Sequence, residues 1–155
     1  MTYMDFVTEQ AGGFIDCDGT ERTEPRPLLL VVEDGVQLLT AVQCICDHLE
    51  IAVEHVPSEH DLGRLLKESN PIGVVAAFDC RGQDGCHVMI TVARYDRSLP
   101  MMLVTGDDPK VLGAADAVQE IWQLSSVFMW PRLPAAGEMA NFLCHATRHR
   151  KTMLC

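Results

Sequence analysis

Five short segments, apolar apart from Glu54 and His55 in the second, recur along this chain at residues 28–32, 51–56, 71–77, 101–104 and 127–129. Between them the apolar residues change to helical spacing. The first run, Leu28-Leu-Leu-Val-Val32, is apolar at every position, which suits a strand covered on both faces. A first helix is expected to carry Leu38, Leu39, Val42, Ile45, Cys46 and Leu49 on one side. Ser58-Glu-His-Asp61 reads as a capping box opening a second helix that buries Leu62, Leu65 and Leu66. A third runs from about Asp84 to Tyr95 with Val88, Met89 and Val92 inward. Asp108-Pro109 supplies an N-cap and a first-turn proline for a fourth, with Val111, Leu112, Ala115, Val118 and Trp122 following. Pro134 opens a fifth, with Met139, Phe142, Leu143 and Ala146. Five such strand–helix units imply a parallel sheet between two layers of helices.

The chain has 155 residues, enough for one domain with a sizeable core. That domain is expected over residues 27–148. Residues 1–26 hold six acids against Arg22 and Arg26, include Gly12-Gly13 and end in Pro25-Arg-Pro27. They read as a flexible acidic tail, with Phe6, Phe14 and Ile15 as docking points. Residues 149–155 read as a basic C-terminal tail, part of a run, Arg148-His-Arg-Lys151, that suits the negative end of a helix. The net charge of −10 argues against nucleic acid as the main partner. No apolar run approaches a membrane span, and the N-terminus lacks the pattern of a signal peptide. A cytoplasmic location without membrane contact is therefore expected.

The seven cysteines form no zinc spacing. Cys44, Cys46 and Cys144 are expected in helices as small apolar groups. Cys80 and Cys86, in and after a loop, are the pair on which a redox role would rest. The six histidines are scattered and read as surface or packing residues. No phosphate-cradling glycine loop follows the first strand, where Glu33-Asp-Gly-Val stands instead, so nucleotide binding is not expected.

The third apolar run continues as Pro71-Ile-Gly-Val-Val-Ala-Ala77-Phe-Asp-Cys-Arg-Gly-Gln-Asp84-Gly85. The first run ends in Glu33-Asp34, the fourth in Thr105-Gly106 and the fifth in Trp130-Pro131. Together these resemble the response-regulator receiver domains of two-component signalling. Their third strand follows the pattern P-D-L-V-L-L-D-x-x-M-P-x-x-D-G, which registers here without a gap from Pro71 to Gly85. The resemblance covers residues 27–148, and the stretch from Thr105 to Trp130 is longer than the family pattern. It implies a flavodoxin-like (βα)5 three-layer sandwich with parallel strand order 2-1-3-4-5 and a functional crevice at the strands' carboxyl ends.

The resemblance also assigns roles. Glu33 and Asp34 stand where receivers hold Mg²⁺, and Thr105 stands where they place a hydroxyl against the phosphoryl group. The phosphoacceptor aspartate is replaced by Ala77, and the lysine before Pro131 by Trp130. Val127 stands where receivers carry an aromatic that switches rotamer. The implied function is a stand-alone pseudo-receiver: a phosphorylation-independent interaction module that is not an enzyme and has no cofactor. Only a low-affinity Mg²⁺ site at Glu33, Asp34 and Asp79 is open to it. Its partner would be a sensor kinase, another signalling protein or a second copy, met through the fourth helix, fifth strand and fifth helix. Two alternatives remain: a working receiver phosphorylated on Asp79, two residues beyond Ala77, and a thiol redox sensor using Cys80 and Cys86. A cis peptide bond is expected before Pro131, with the Trp130 ring covering part of the crevice.

Overall fold

The computed structural model of the chain describes residues 13–15, 21–23, 26–33, 35–57, 62–77 and 85–154. Two short strands, β1 (Gly13–Ile15) and β2 (Glu21–Thr23), pair antiparallel. Then come β3 (Leu28–Val32), α1 (Gln37–His48), β4 (Ala52–Val56), α2 (Leu62–Ser69), β5 (Gly73–Ala77) and α3 (Gly85–Tyr95). β6 (Met101–Val104), α4 (Pro109–Trp122), β7 (Val127–Trp130) and α5 (Ala136–Leu154) complete the chain. The five strands after the hairpin form one parallel sheet in the order β4-β3-β5-β6-β7. Counted from β3, this is the expected 2-1-3-4-5.

The continuous apolar strands have a direct structural use. On β3, Leu30 and Val32 point to one side and Leu29 and Val31 to the other. The same alternation holds for Val74 and Ala76 against Val75 on β5, and for Met101 and Leu103 against Met102 on β6. One set packs on Leu62 and Leu66 of α2, on Val88, Met89 and Val92 of α3, and on Ala115 of α4. The other packs on Leu38, Val42 and Cys46 of α1 and on Met139, Phe142, Leu143 and Ala146 of α5. Each of these apolar strand residues thus feeds one of two cores, at about 1.5–3 kcal/mol per fully buried aliphatic side chain.

Helix ends follow local chemistry in part. At α4 the Asp108 carboxylate accepts from the Lys110 amide at 2.9 Å and Pro109 occupies the first turn, as expected. The expected cap of α2, residues 58–61, lies outside the described residues. α1, α2 and α4 are followed by Glu50, Asn70 and Gln123 in left-handed backbone, at φ of 60°, 51° and 57°.

Three expectations need correction. First, within the acidic segment read as a flexible tail, residues 13–15 and 21–23 pair as two antiparallel strands; runs of three residues are too short to show a period. Second, α5 continues to Leu154, so residues 149–154, read as a basic tail, are its last turns. The Arg150 guanidinium donates to the Asn70 carbonyl at 2.9 Å, tying that end down instead of leaving it wholly solvated. Third, of Cys44, Cys46 and Cys144 only Cys46 is buried, on the Leu38–Val42–Cys46 stripe, whereas Cys44 and Cys144 fall on outer helix faces and are exposed.

Burial, with a smaller push from Asp47, raises the Cys46 thiol to about 11 from an ordinary 9.0. The sign follows from linkage. Between those values the unfolded chain loses the proton and the folded one keeps it, so stability is full below pH 9.0 and falls as pH rises toward about 11. We expect urea midpoints measured across that interval to decline more steeply for the native chain than for Cys46→Ala; equal slopes would remove the thiol as a cause.

Candidate functional site at the carboxyl ends of the strands

Ala77 is the last residue of β5. Its partner across the ladder is Val104 at the end of β6, and the partner of Val104 is Trp130 at the end of β7. Ala77, Val104 and Trp130 therefore stand in one row, and all three side chains pack toward the α1–α5 side of the sheet. Two strand spacings place Trp130 roughly 10 Å from Ala77 along the row. Thr105 follows directly after β6 and Glu33 directly after β3. The residues singled out at four strand ends thus share one edge of the sheet. Asp34, Asp79, Cys80 and Asp84 lie outside the described residues.

Glu33 is 3% exposed. Its carboxylate oxygens accept from the Leu38 amide at 3.1 Å and the Leu39 amide at 2.8 Å. These are two of the unpaired N–H groups at the start of α1, where Val36 at the cap position offers no side-chain bond. A carboxylate there also meets the positive end of the helix dipole. The Glu33 amide donates to the Val56 carbonyl at 3.1 Å, and His55 Nε2 lies 2.9 Å from the Glu33 carbonyl. Glu33 is thereby held as a helix cap from four residues upstream of the first helical position. Sequence reading assigned Glu33 to a cation and His55 to the surface or packing; His55 on β4 and Glu33 at the end of β3 meet across neighbouring strands, a proximity that spacing along the chain does not reveal.

Thr105 is 1% exposed. Its amide donates to the Trp130 carbonyl at 2.8 Å, extending the β6–β7 ladder by one residue. Its hydroxyl has two carbonyl acceptors in range, Gly106 at 3.1 Å and Trp130 at 3.3 Å. Trp130 is half-buried, and its Nε1 is enclosed with no hydrogen-bond partner among the described residues. The peptide bond before Pro131 is trans, contrary to expectation. The Trp130 carbonyl is held by Thr105 in the ladder, and trans is in any case the intrinsically favoured isomer by about 0.5–1 kcal/mol.

Chemically, the described part of this edge offers a methyl, a carboxylate bonded to a helix, a hydroxyl facing carbonyls and an indole. A methyl has no lone pair with which to attack phosphorus. Among the described residues no three His, Cys, Asp or Glu side chains gather as a metal site. Of the proposed Mg²⁺ ligands only Glu33 is described, and both its oxygens already serve α1, so it fits that cation poorly. Cys86, the described member of the candidate redox pair, is half-buried against the α2–α3 core. The Glu33 bonds predict that Glu33→Ala leaves two amide donors without their acceptor and costs about 1–3 kcal/mol. Glu33→Gln keeps one acceptor oxygen and should cost less. Urea unfolding of both variants checks this; an unchanged midpoint in Glu33→Ala would show the cap to be dispensable.

Comparison with known proteins adds the fold and little sequence. No protein-family profile matches the chain, and no curated protein matches it by sequence. Solved structures do match. The signal receiver domain of an HD domain-containing protein from Pseudomonas fluorescens Pf-5 is 20% identical, with TM-score 0.65, covering 83% of this chain and 99% of that one. A response regulator receiver protein from Pseudomonas putida is 17% identical, with TM-score 0.58, covering 79% and 99%. The beryllofluoride-activated NtrC receiver domain is 16% identical, with TM-score 0.61, covering 81% and 98%. Strand order, helix layers and these matches agree that the chain has the flavodoxin-like fold of receiver domains.

Proposed function

We propose that this protein is a pseudo-receiver, a phosphorylation-independent interaction module in two-component signalling that catalyses no reaction of its own. The observation that carries this reading is the position of Ala77. It terminates the central strand β5, in one row with Val104 and Trp130 and at the same edge as Glu33 and Thr105. In the receiver pattern that position bears the aspartate that takes the phosphoryl group, and the position of Trp130 bears a lysine. The joint loss is physically coherent. Carboxylates a few ångströms apart repel by roughly 4 kcal/mol per pair at an effective dielectric of 20, so losing one acid removes the need for a compensating cation. Glu33, engaged with α1, keeps a structural use that does not depend on a metal.

Without phosphorylation the output would be contact itself. The face of α4, β7 and α5 is the proposed meeting place for a sensor kinase, another signalling protein or a second copy. No described helix is long and apolar enough to cross a membrane, and neither membrane nor nucleic acid has a part in this proposal.

Intact-mass analysis after incubation with acetyl phosphate and Mg²⁺ should show no added phosphoryl group. A base-labile adduct mapped to Asp79 would instead establish a working receiver. The double variant Ala77→Asp with Trp130→Lys restores one negative and one positive charge. It is expected to bind Mg²⁺ and accept phosphate; a folded double variant that binds no metal would show that the edge was misassigned.

A further inference from the structure

The opposite end of the molecule, where the strands begin, carries chemistry that the receiver-like edge does not use. A hollow of about 640 Å³ lies between the C-terminal turns of α3 and α4. Arg94, Arg97, Ile121 and Trp122 line it. A second hollow, of about 520 Å³ between α2 and α3, shares Arg94 and Tyr95 with the first and adds Arg64 and Lys67. A third, smaller one shares Tyr95 and Asp96 and adds Arg150. The linings of these three adjoining hollows hold Arg64, Lys67, Arg94, Arg97 and Arg150, and the one carboxylate among them is Asp96. This is a concentration of cations on a chain whose net charge is −10.

The hydrogen bonds show which of these charges have other work. Arg64 is paired with Glu68 at 3.0 Å. Arg150 holds the Asn70 carbonyl, and the Tyr95 hydroxyl donates to Asn70 Oδ1 at 2.9 Å, which ties α3, α5 and the end of α2 into one platform. Oδ1 of Asp96 accepts from the amide and hydroxyl of Ser98 at 2.9 and 2.7 Å. Arg97 donates to the neutral Gln123 side chain at 2.9 Å. Arg94 lies 5.6 Å over the Trp122 ring. Lys67, Arg94 and Arg97 are exposed and make no ion pair among the described residues. Beside them Ile121 is 74% exposed and Trp122 half-buried. The hollow therefore offers guanidinium groups above an aliphatic and an aromatic surface.

We propose that this basic pole is a docking site for an acidic polypeptide segment of a partner protein. Glu or Asp side chains of that segment would meet Arg94, Arg97 and Lys67, and an aliphatic side chain would lie against Ile121 and Trp122. Charge complementarity selects this occupant. Guanidinium forks bind carboxylates in bidentate geometry. The strongly negative remainder of the chain opposes an extended polyanion such as nucleic acid, whereas a short acidic segment meets only the local cations. The site lies at the far end of the sheet from Ala77, so it stands whether or not the phosphorylation-independent reading does.

The test uses the full chain and a fluorescein-labelled peptide of sequence Glu-Glu-Leu-Glu-Glu-Leu-Glu-Glu, followed by anisotropy. Binding should weaken as salt rises from ~0.05 M to ~0.5 M. Arg94→Glu and Arg97→Glu should each weaken it about tenfold or more. Ile121→Gln should weaken it without changing the salt dependence. In a Trp130→Phe background the remaining tryptophan, Trp122, should change its emission on peptide addition. All of these side chains are exposed or half-buried, and circular dichroism checks that each variant folds. No binding by the native chain, full binding by the charge-reversed or Ile121→Gln chains, a silent Trp122, or equal binding of a single-stranded oligothymidylate of matched charge would each overturn the proposal.

Discussion

Burial of the central strands on both faces is the constraint from which the rest of this structure follows. β3, β5 and β6 send alternate side chains into two separate cores, one under α2, α3 and α4 and the other under α1 and α5. A slip of one residue in any of these strands would exchange the two sets and misfit both. The register is therefore strongly held, and with it the identity of the residue that emerges at each strand's carboxyl end. Ala77, Val104 and Trp130 form a row because Val74, Val75, Met101 and Met102 are packed where they are. The proposed loss of phosphoryl chemistry rests on that packing as much as on a motif.

Glu33 shows how one residue can satisfy a family pattern and a local structural need together. A carboxylate at the end of β3 suits a cation site. The same carboxylate closes the start of α1, which has no side-chain cap of its own. The second use alone is reason enough for the residue, whether or not a cation binds. At the other end of the sheet the charges are of opposite sign, with Arg94 and Arg97 free of carboxylate partners among the described residues. The molecule thus carries an edge where Glu33 and Thr105 are committed internally and a pole where Lys67, Arg94 and Arg97 make no ion pair among the described residues.

The alternation of strands and helices and the inward faces of the helices were legible in the sequence because each depends on apolar spacing within one element, whereas the strand order was implied only by the resemblance to receiver domains. The Asp108-Pro109 start of α4 was legible for the same local reason. What was not legible depends on distance or on exceptions. Helix ends at Glu50, Asn70 and Gln123 use left-handed residues other than the glycine that usually marks them. The Arg150–Asn70 tether and the Arg94–Trp122 contact join residues far apart in the chain. The exposure of Cys44 beside buried Cys46 turns on helix phase, which apolar neighbours in sequence blur. The β1–β2 hairpin is too short to show a period at all.

The most direct test of the central claim is a pair of amide NMR spectra, without and with Mg²⁺ and beryllofluoride, the reagent that activates the similar NtrC receiver domain. If the edge lacks phosphoryl chemistry, the amide signals of Leu38, Leu39 and Thr105 and the indole N–H of Trp130 will stay in place. Saturable shifts of those four signals would contradict the account.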